Sequence, residues 1–206
     1  MKALLIGLSA LTLLGFTSAA QAQFYLGAQG GVSIQDDSDA DEDGISGELG
    51  YSEGFALGAL GGYRFGLNDS VSLDIEGEVT YRDNDVDDLT IEGVDFDADG
   101  DLTSFAFMAN GWLNWHVGSG FSPYVGGGVG VLHVELEDLD VSGVNIADDS
   151  DTVLAGQLGA GVAYAVTENV ELSLDYRFLI ADDADFEGTE TEMQNHSVLI
   201  GFKYLF

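Results

Sequence analysis

The 206-residue chain is long enough for one domain, and it sets 37 Asp and Glu against five Lys and Arg, a net charge of −32. That balance excludes a nucleic-acid binder, because phosphates are neutralised by Lys and Arg. The lack of Cys excludes a disulfide framework and thiol chemistry, and 29 Gly beside a single Pro, Pro123, fit tightly curved sheet rather than collagen or a Pro/Gly linker.

The chain opens with a short positive start, Met1-Lys2, then an apolar run from Ala3 to Phe16, then the small-x-small site Ala20-Gln21-Ala22. This is the anatomy of a secretory leader that is cleaved off. The run is too short for a membrane-spanning helix, which needs about 20 residues. Residues 1–22 are therefore expected to be the leader and residues 23–206 the mature domain. No comparable apolar run follows, so no helix crossing an inner membrane is expected.

The mature chain reads as eight alternating segments, and alternate side chains of a strand face opposite ways. The first, about Phe24 to Ile34, puts Phe24, Leu26, Ala28, Gly30, Val32 and Ile34 on one face. The second, about Gly54 to Phe65, does so with Phe55, Leu57, Ala59, Gly61, Tyr63 and Phe65. The third, Val71 to Tyr81, alternates Val71, Leu73, Ile75, Gly77, Val79 and Tyr81 with Ser72, Asp74, Glu76, Glu78 and Thr80. The fourth sets Phe105, Phe107, Ala109, Gly111, Leu113, Trp115 and Val117 against Ser104, Met108, Asn110, Trp112, Asn114 and His116. In the fifth, about Phe121 to Val134, Val125, Gly127, Val129 and Val131 form the chosen apolar face, with Tyr124, Leu132 and Val134 competing. The sixth offers Leu154, Leu158, Ala160, Val162 and Tyr164. The seventh alternates Val170, Leu172, Leu174, Tyr176, Phe178 and Ile180 with Glu171, Ser173, Asp175 and Arg177. The eighth, His196 to Phe206, has Val198, Ile200, Phe202, Tyr204 and Phe206 on one face and Ser197, Leu199, Gly201, Lys203 and Leu205 on the other. Each segment has about the length a tilted strand needs to cross an outer membrane.

The connections alternate as well. Gly66–Ser70, Gly118–Gly120 and Thr167–Asn169 read as tight turns, whereas Gln35–Glu53, Asp83–Asp101, Glu135–Asp151 and Ala181–Asn195 read as long acidic loops. Beyond Lys2, the basic residues are Arg64, Arg82, Arg177 and Lys203, all on the faces opposite the apolar ones. Asp74, Glu76, Glu78, Glu171 and Asp175 share that inner face. Charge facing lipid is costly and every backbone group in lipid must be paired, so the pattern requires a closed barrel. Closure places these charges in one sector of the lumen. The expected network pairs Arg64 and Arg82 with Asp74, Glu76 and Glu78, and Arg177 and Lys203 with Glu171 and Asp175, since lone buried charges are expensive. The aromatics Phe24, Tyr63, Phe65, Trp115, Tyr164, Tyr204 and Phe206 map to one rim, and Phe55, Tyr81 and Phe105 to the other, as interfacial girdles do.

The final strand, with alternating Phe202, Tyr204 and Phe206, resembles the terminal strand of bacterial outer-membrane β-barrels, where such a pattern is the signal read by the barrel assembly machinery. With this strand, the strand number and the loop rhythm, the whole mature chain resembles the small eight-stranded outer-membrane proteins of the OmpA transmembrane, OmpX and Opa type. The resemblance implies an all-β, monomeric, eight-stranded antiparallel up-and-down barrel in the bacterial outer membrane. Its short turns would be periplasmic and its four long acidic loops extracellular, among outer-membrane lipid and lipopolysaccharide. It carries over no binding residue and no cofactor, and it leaves any extracellular ligand of the loops unnamed.

Three places invite a chemical reading. His116, His133 and His196 are scattered, and His196 and Ser197 point to opposite faces, so no Ser–His site is expected. Gly126-Gly-Gly-Val-Gly130 resembles a phosphate loop but continues into a strand and has no Lys. The stretches Asp39-Ala-Asp41-Glu-Asp43-Gly44 and Asp95-Phe-Asp97-Ala-Asp99-Gly100 space carboxylates as the first half of a calcium loop does, yet Gly50 and Ala106 stand where its final Glu belongs. Solvated, mutually repelling loops are the expected reading, with weak Ca²⁺ or Mg²⁺ binding as the alternative. For function, a structural or surface-interaction role is expected. A narrow cation-preferring channel is the alternative, running along the small inner residues Gly27, Gly31, Gly126, Gly128, Gly130, Ala155, Gly159 and Gly161, and a lipid-modifying enzyme ranks last.

Overall fold

Period-two alternation and β-branched and aromatic outer faces give a structure of strands and turns. The structure is a computed structural model that describes residues 22–35, 38–42, 45–51, 53–91, 94–141, 144–145, 149–186 and 189–206. Side chains are described for 22–35, 53–84, 103–135, 150–181 and 194–206. The leader expected over 1–22 falls, but for Ala22, outside the described residues.

The strands are β1 (Ala22–Gln35), β2 (Ser38–Glu42), β3 (Ile45–Tyr51), β4 (Gly54–Asn68), β5 (Val71–Ile91), β6 (Val94–Trp115), β7 (Phe121–Val141), β8 (Val144–Asn145), β9 (Asp149–Ala165), β10 (Val170–Phe186) and β11 (Thr189–Leu205). Eight of them, β1, β4, β5, β6, β7, β9, β10 and β11, pair antiparallel with their neighbours around a ring. β11 returns to β1, from Tyr25 opposite Leu205 to Gln35 opposite Asn195, and closes it. Closure removes both sheet edges, as a barrel in lipid requires.

The outer faces match the alternation in all eight strands. Leu57, Ile75, Phe107, Val129, Leu158, Leu174 and Ile200 are exposed, while Ala56, Asp74, Ala106, Gln157, Asp175 and Leu199 are buried. In β7 the competing register is settled: Val125, Val129 and Val131 point out, and Tyr124, Leu132 and Val134 point in. At the tight-turn end Phe24 packs on Tyr63 and Phe206, with ring centroids 5.3 and 5.5 Å away. At the other end Tyr81 contacts Phe55 at 5.9 Å and Phe105 at 5.0 Å.

The three tight turns fall where the sequence places them. Asn68 Oδ1 accepts the amide of Ser70 at 2.9 Å, and Thr167 Oγ1 accepts that of Asn169 at 3.2 Å, both local caps that close a turn. Gly118 and Gly120 hold positive φ at 88° and 80°, but so does Ser119 at 54°. A side chain there is strained. Ser119→Gly is expected to stabilise the barrel by a few tenths to about 1 kcal/mol, read as a shift of the urea midpoint.

The opposite end differs from expectation. Much of what reads as long loop is paired strand: β5 and β6 continue to an Ile91–Val94 pairing, and β2–β3 forms a ribbon docked on β5 from Gly47–Ile91 to Tyr51–Val86. β10 and β11 likewise continue to Phe186 opposite Thr189. Asp- and Gly-rich composition argues for loop, but a ladder already started in the barrel adds backbone bonds with each further residue, and that continuity overrides weak local preference. β5 and β6, at 21 and 22 residues, exceed the roughly 9–11 that cross an outer membrane.

Candidate functional site: the lumen network

The inner face gathers charge into one sector. Arg64 on β4 stands directly opposite Asp74 on β5. Its Nε donates to Asp74 Oδ1 at 2.8 Å and its Nη2 to Oδ2 at 2.9 Å. The same guanidinium reaches across the lumen to β10, where Nη1 and Nη2 donate to the two oxygens of Glu171 at 2.6 and 3.0 Å. One Arg thus clamps two carboxylates, each with paired donors, the geometry that makes a charge-assisted contact strong.

Glu76 is the second hub. Its Oε2 accepts from Lys203 Nζ at 2.7 Å and from Tyr25 Oη at 3.0 Å, and its Oε1 accepts from Trp112 Nε1 at 2.9 Å. Asp175 is the third. It accepts from Arg177 Nη2 at 3.1 Å, from Ser173 Oγ at 2.7 Å, and from the hydroxyl of Tyr124. The Arg177 guanidinium lies over the Trp112 indole, 3.8 Å from its centroid, and the Lys203 ammonium lies 4.7 Å from the Tyr25 ring. Glu78 has neutral partners instead: Thr80 at 2.8 Å, Asn110 at 2.9 Å and Gln157 at 3.3 Å.

The nine charged residues therefore share one lumen, and Arg64–Asp74 and Arg177–Asp175 pair within the expected grouping, but the other pairs depart from it. Glu171 and Lys203 face each other across β10 and β11, yet turn away to Arg64 and Glu76. Arg82 joins none of the acids expected for it: it is buried and makes no ion pair among the described residues, and its Nε and Nη1 have no hydrogen-bond partner. Tyr25, Trp112 and Tyr124 belong to the network although sequence reasoning did not single them out. Their signal was parity alone, since each occupies an inward position of its strand.

The room expected along the small inner residues is taken. A side chain on Gly27 would meet Leu60 Cδ1 at 2.7 Å, one on Gly130 Met108 Sδ at 2.7 Å, and one on Gly161 the Tyr124 hydroxyl at 2.7 Å. These glycines are slots into which large neighbours lie, not an open seam.

The remaining candidates separate. Phe202, Tyr204 and Phe206 lie on the outward face, and the Tyr204 and Phe206 rings touch edge-on with centroids 4.9 Å apart. His116 sits between two hydroxyls, Ser122 Oγ at 2.9 Å from Nδ1 and Ser72 Oγ at 3.1 Å from Nε2, a pairing the sequence did not suggest. His133 faces Thr152 at 2.9 Å, and His196 stacks on Tyr176 and Phe178. The calcium-loop reading gains no support. Asp39 and Asp41 lie in β2 and Asp95, Asp97 and Asp99 in β6, all extended backbone rather than a turning loop, while Asp43 is outside the described residues. Among the described residues no group of three or more His, Cys, Asp or Glu is placed to hold a metal ion.

A closed ring of eight strands, apolar outside and with its buried charges within, defines a transmembrane β-barrel. The chain belongs to the outer membrane protein beta-barrel domain family, whose profile matches residues 3–206. It is 27% identical over 116 residues to the outer membrane protein PagN of Salmonella typhimurium, a match that spans 48% of either chain and thus about half the length of that relative. Among solved structures it is similar to Neisserial surface protein A (TM-score 0.54, 19% identity, 90% of this chain and 99% of that one). It is also similar to OprG from Pseudomonas aeruginosa (TM-score 0.53, 18% identity, 88% and 95% covered). At those identities the likeness is one of fold. Membership of the family places the chain in the bacterial outer membrane, among its lipid and lipopolysaccharide.

Proposed function

We propose that this is a non-enzymatic, monomeric surface protein whose working part is the acidic far end, displayed outside the cell on a barrel that does not conduct. In this reading residues 1–22 are removed on export, the tight turns face the periplasm, and Phe202, Tyr204 and Phe206 carry the assembly signal. The observation that carries it is the filled lumen: Arg64 bridges Asp74 and Glu171 at 2.8 and 2.6 Å while Trp112, Tyr25 and Tyr124 occupy the glycine slots. Eight strands leave an interior that side chains just fill. A hydrolase reading is not favoured, because the second nitrogen of His116 faces the Ser72 hydroxyl rather than an orienting carboxylate.

Ion conductance in planar bilayers tests the proposal. The purified barrel is expected to give no steady steps, whereas Trp112→Gly, which removes the largest fully buried side chain, is expected to conduct. Cation-selective steps from the unaltered protein that shift in Glu76→Gln would overturn the closed-lumen reading in favour of a narrow channel.

A further inference from the structure

Among the described residues the network leaves one inward cation over. Arg82 is 2% exposed, and its Nε and Nη1 have no hydrogen-bond partner. It lines a cavity of about 10 Å³ inside the far end of the barrel, together with Gln35, Ser104, Asn195, Leu132 and Leu179. Gln35 contributes a second free donor there. Its Oε1 accepts from Asn195 Nδ2 at 3.2 Å, which leaves Nε2 as the free end, and Nε2 has no partner. Asn195 in turn donates to Ser33 Oγ at 2.9 Å, and Asn84 to Ser33 O at 3.2 Å, so the amides around the cavity are held in place.

The unmatched atoms of this wall are all donors. A buried donor set around a guanidinium, with no acceptor to answer it, is the chemistry of an anion site. The inward acids of the network do not answer it. Glu78 is taken by Thr80, Asn110 and Gln157, and Asp175 by Tyr124, Ser173 and Arg177. The volume sets the size of the guest. A cavity of about 10 Å³, counted as room for a guest's centre, admits one small sphere such as a water or a monatomic ion and shuts out phosphate, sulfate and organic carboxylates. Guanidinium is weakly hydrated, so it gives up water for a weakly hydrated anion at little cost.

We propose that Arg82 and Gln35 form a binding site for a single halide ion, chloride in the native setting, inside the extracellular end of the lumen. The ion takes N–H bonds from Arg82 Nε and Nη1 and from Gln35 Nε2, while Leu132 and Leu179 close the wall. It neutralises Arg82, which has no carboxylate partner among the described residues.

The test uses the whole protein purified from outer membranes. Crystals exchanged into bromide are expected to show an anomalous peak within hydrogen-bond distance of Arg82 and Gln35. In solution, chloride resonance broadening by the protein should fall with Arg82→Gln, as affinity drops by about tenfold or more. Gln35→Leu should weaken it less, because the charge remains. If Arg82→Gln fails to fold, the bromide map and Gln35→Leu decide the matter. A cavity without bromide overturns the proposal, as does one filled by water or by a carboxylate of the chain's own acidic segments. So does a bromide peak without chloride broadening in solution, which is binding at crystal concentration only.

Discussion

Replacing Arg64 by Leu is expected to cost about 3–5 kcal/mol of stability, measured by urea unfolding from lipid vesicles. The size follows from what the substitution leaves behind. Asp74, 0% exposed, and Glu171, 9% exposed, have only Arg64 as a hydrogen-bonding partner among the described side chains. Each would stay inside the barrel as a carboxylate without a counter-charge. The cost therefore belongs to the stranded acids more than to the lost Arg, and that distinction is measurable. Adding Asp74→Asn and Glu171→Gln to Arg64→Leu removes the stranded charge, so the triple variant should recover a large part of the loss. Lys203→Met gives a graded comparison. Glu76 would still accept from Tyr25 at 3.0 Å and Trp112 at 2.9 Å, so the loss should be clearly smaller than for Arg64→Leu. If Arg64→Leu and the triple variant prove equally unstable, charge pairing is not what holds this sector together.

The sequence carries the sector but not the pairs. Parity within a strand assigns Arg64, Asp74, Glu171 and Lys203 to the lumen, because a side chain faces one way or the other. Which partner each one takes depends on the register between strands and on reach across the lumen, and neither is written in one strand's alternation. Glu171 and Lys203 illustrate the point: they are opposite neighbours on adjacent strands, and both bond elsewhere. Arg82 reads as a paired cation because lone buried charges are expensive, but Thr80, Asn110 and Gln157 answer Glu78 first. The far-end ribbons were hidden for another reason. Their Asp and Gly content looks like loop, and the ladder that extends them is inherited from the barrel beneath. The glycines misled in the opposite direction. A missing side chain reads as space, yet in a packed lumen it marks where a neighbour's side chain already is.

That last point yields the second large effect. Gly159→Val is expected to destabilise the barrel by about 1–3 kcal/mol or more, the usual range for overpacking a filled interior. A Cβ at Gly159 would lie 2.9 Å from Arg177 Cδ, 3.0 Å from the Tyr176 carbonyl and 3.2 Å from Trp112 Cη2. The indole has little freedom to yield. A Cβ at Gly126, the cross-strand partner of Gly159, would lie 2.6 Å from Trp112 Cε3, so the ring lies across both glycines. Its Nε1 is committed to Glu76 at 2.9 Å and its face to Arg177 at 3.8 Å. Moving the ring would therefore loosen two of the three charged hubs together. Gly111→Ala is the control: nothing lies within 4 Å of the added carbon, and within a strand Ala gains over Gly in backbone entropy. Its urea midpoint should be unchanged or slightly higher, and tryptophan fluorescence should shift for Gly159→Val alone. A Gly159→Val barrel as stable as Gly111→Ala, with unshifted fluorescence, would mean that the indole moves aside cheaply. The lumen would then be plastic enough to open, and a conducting state would become the better account of this barrel.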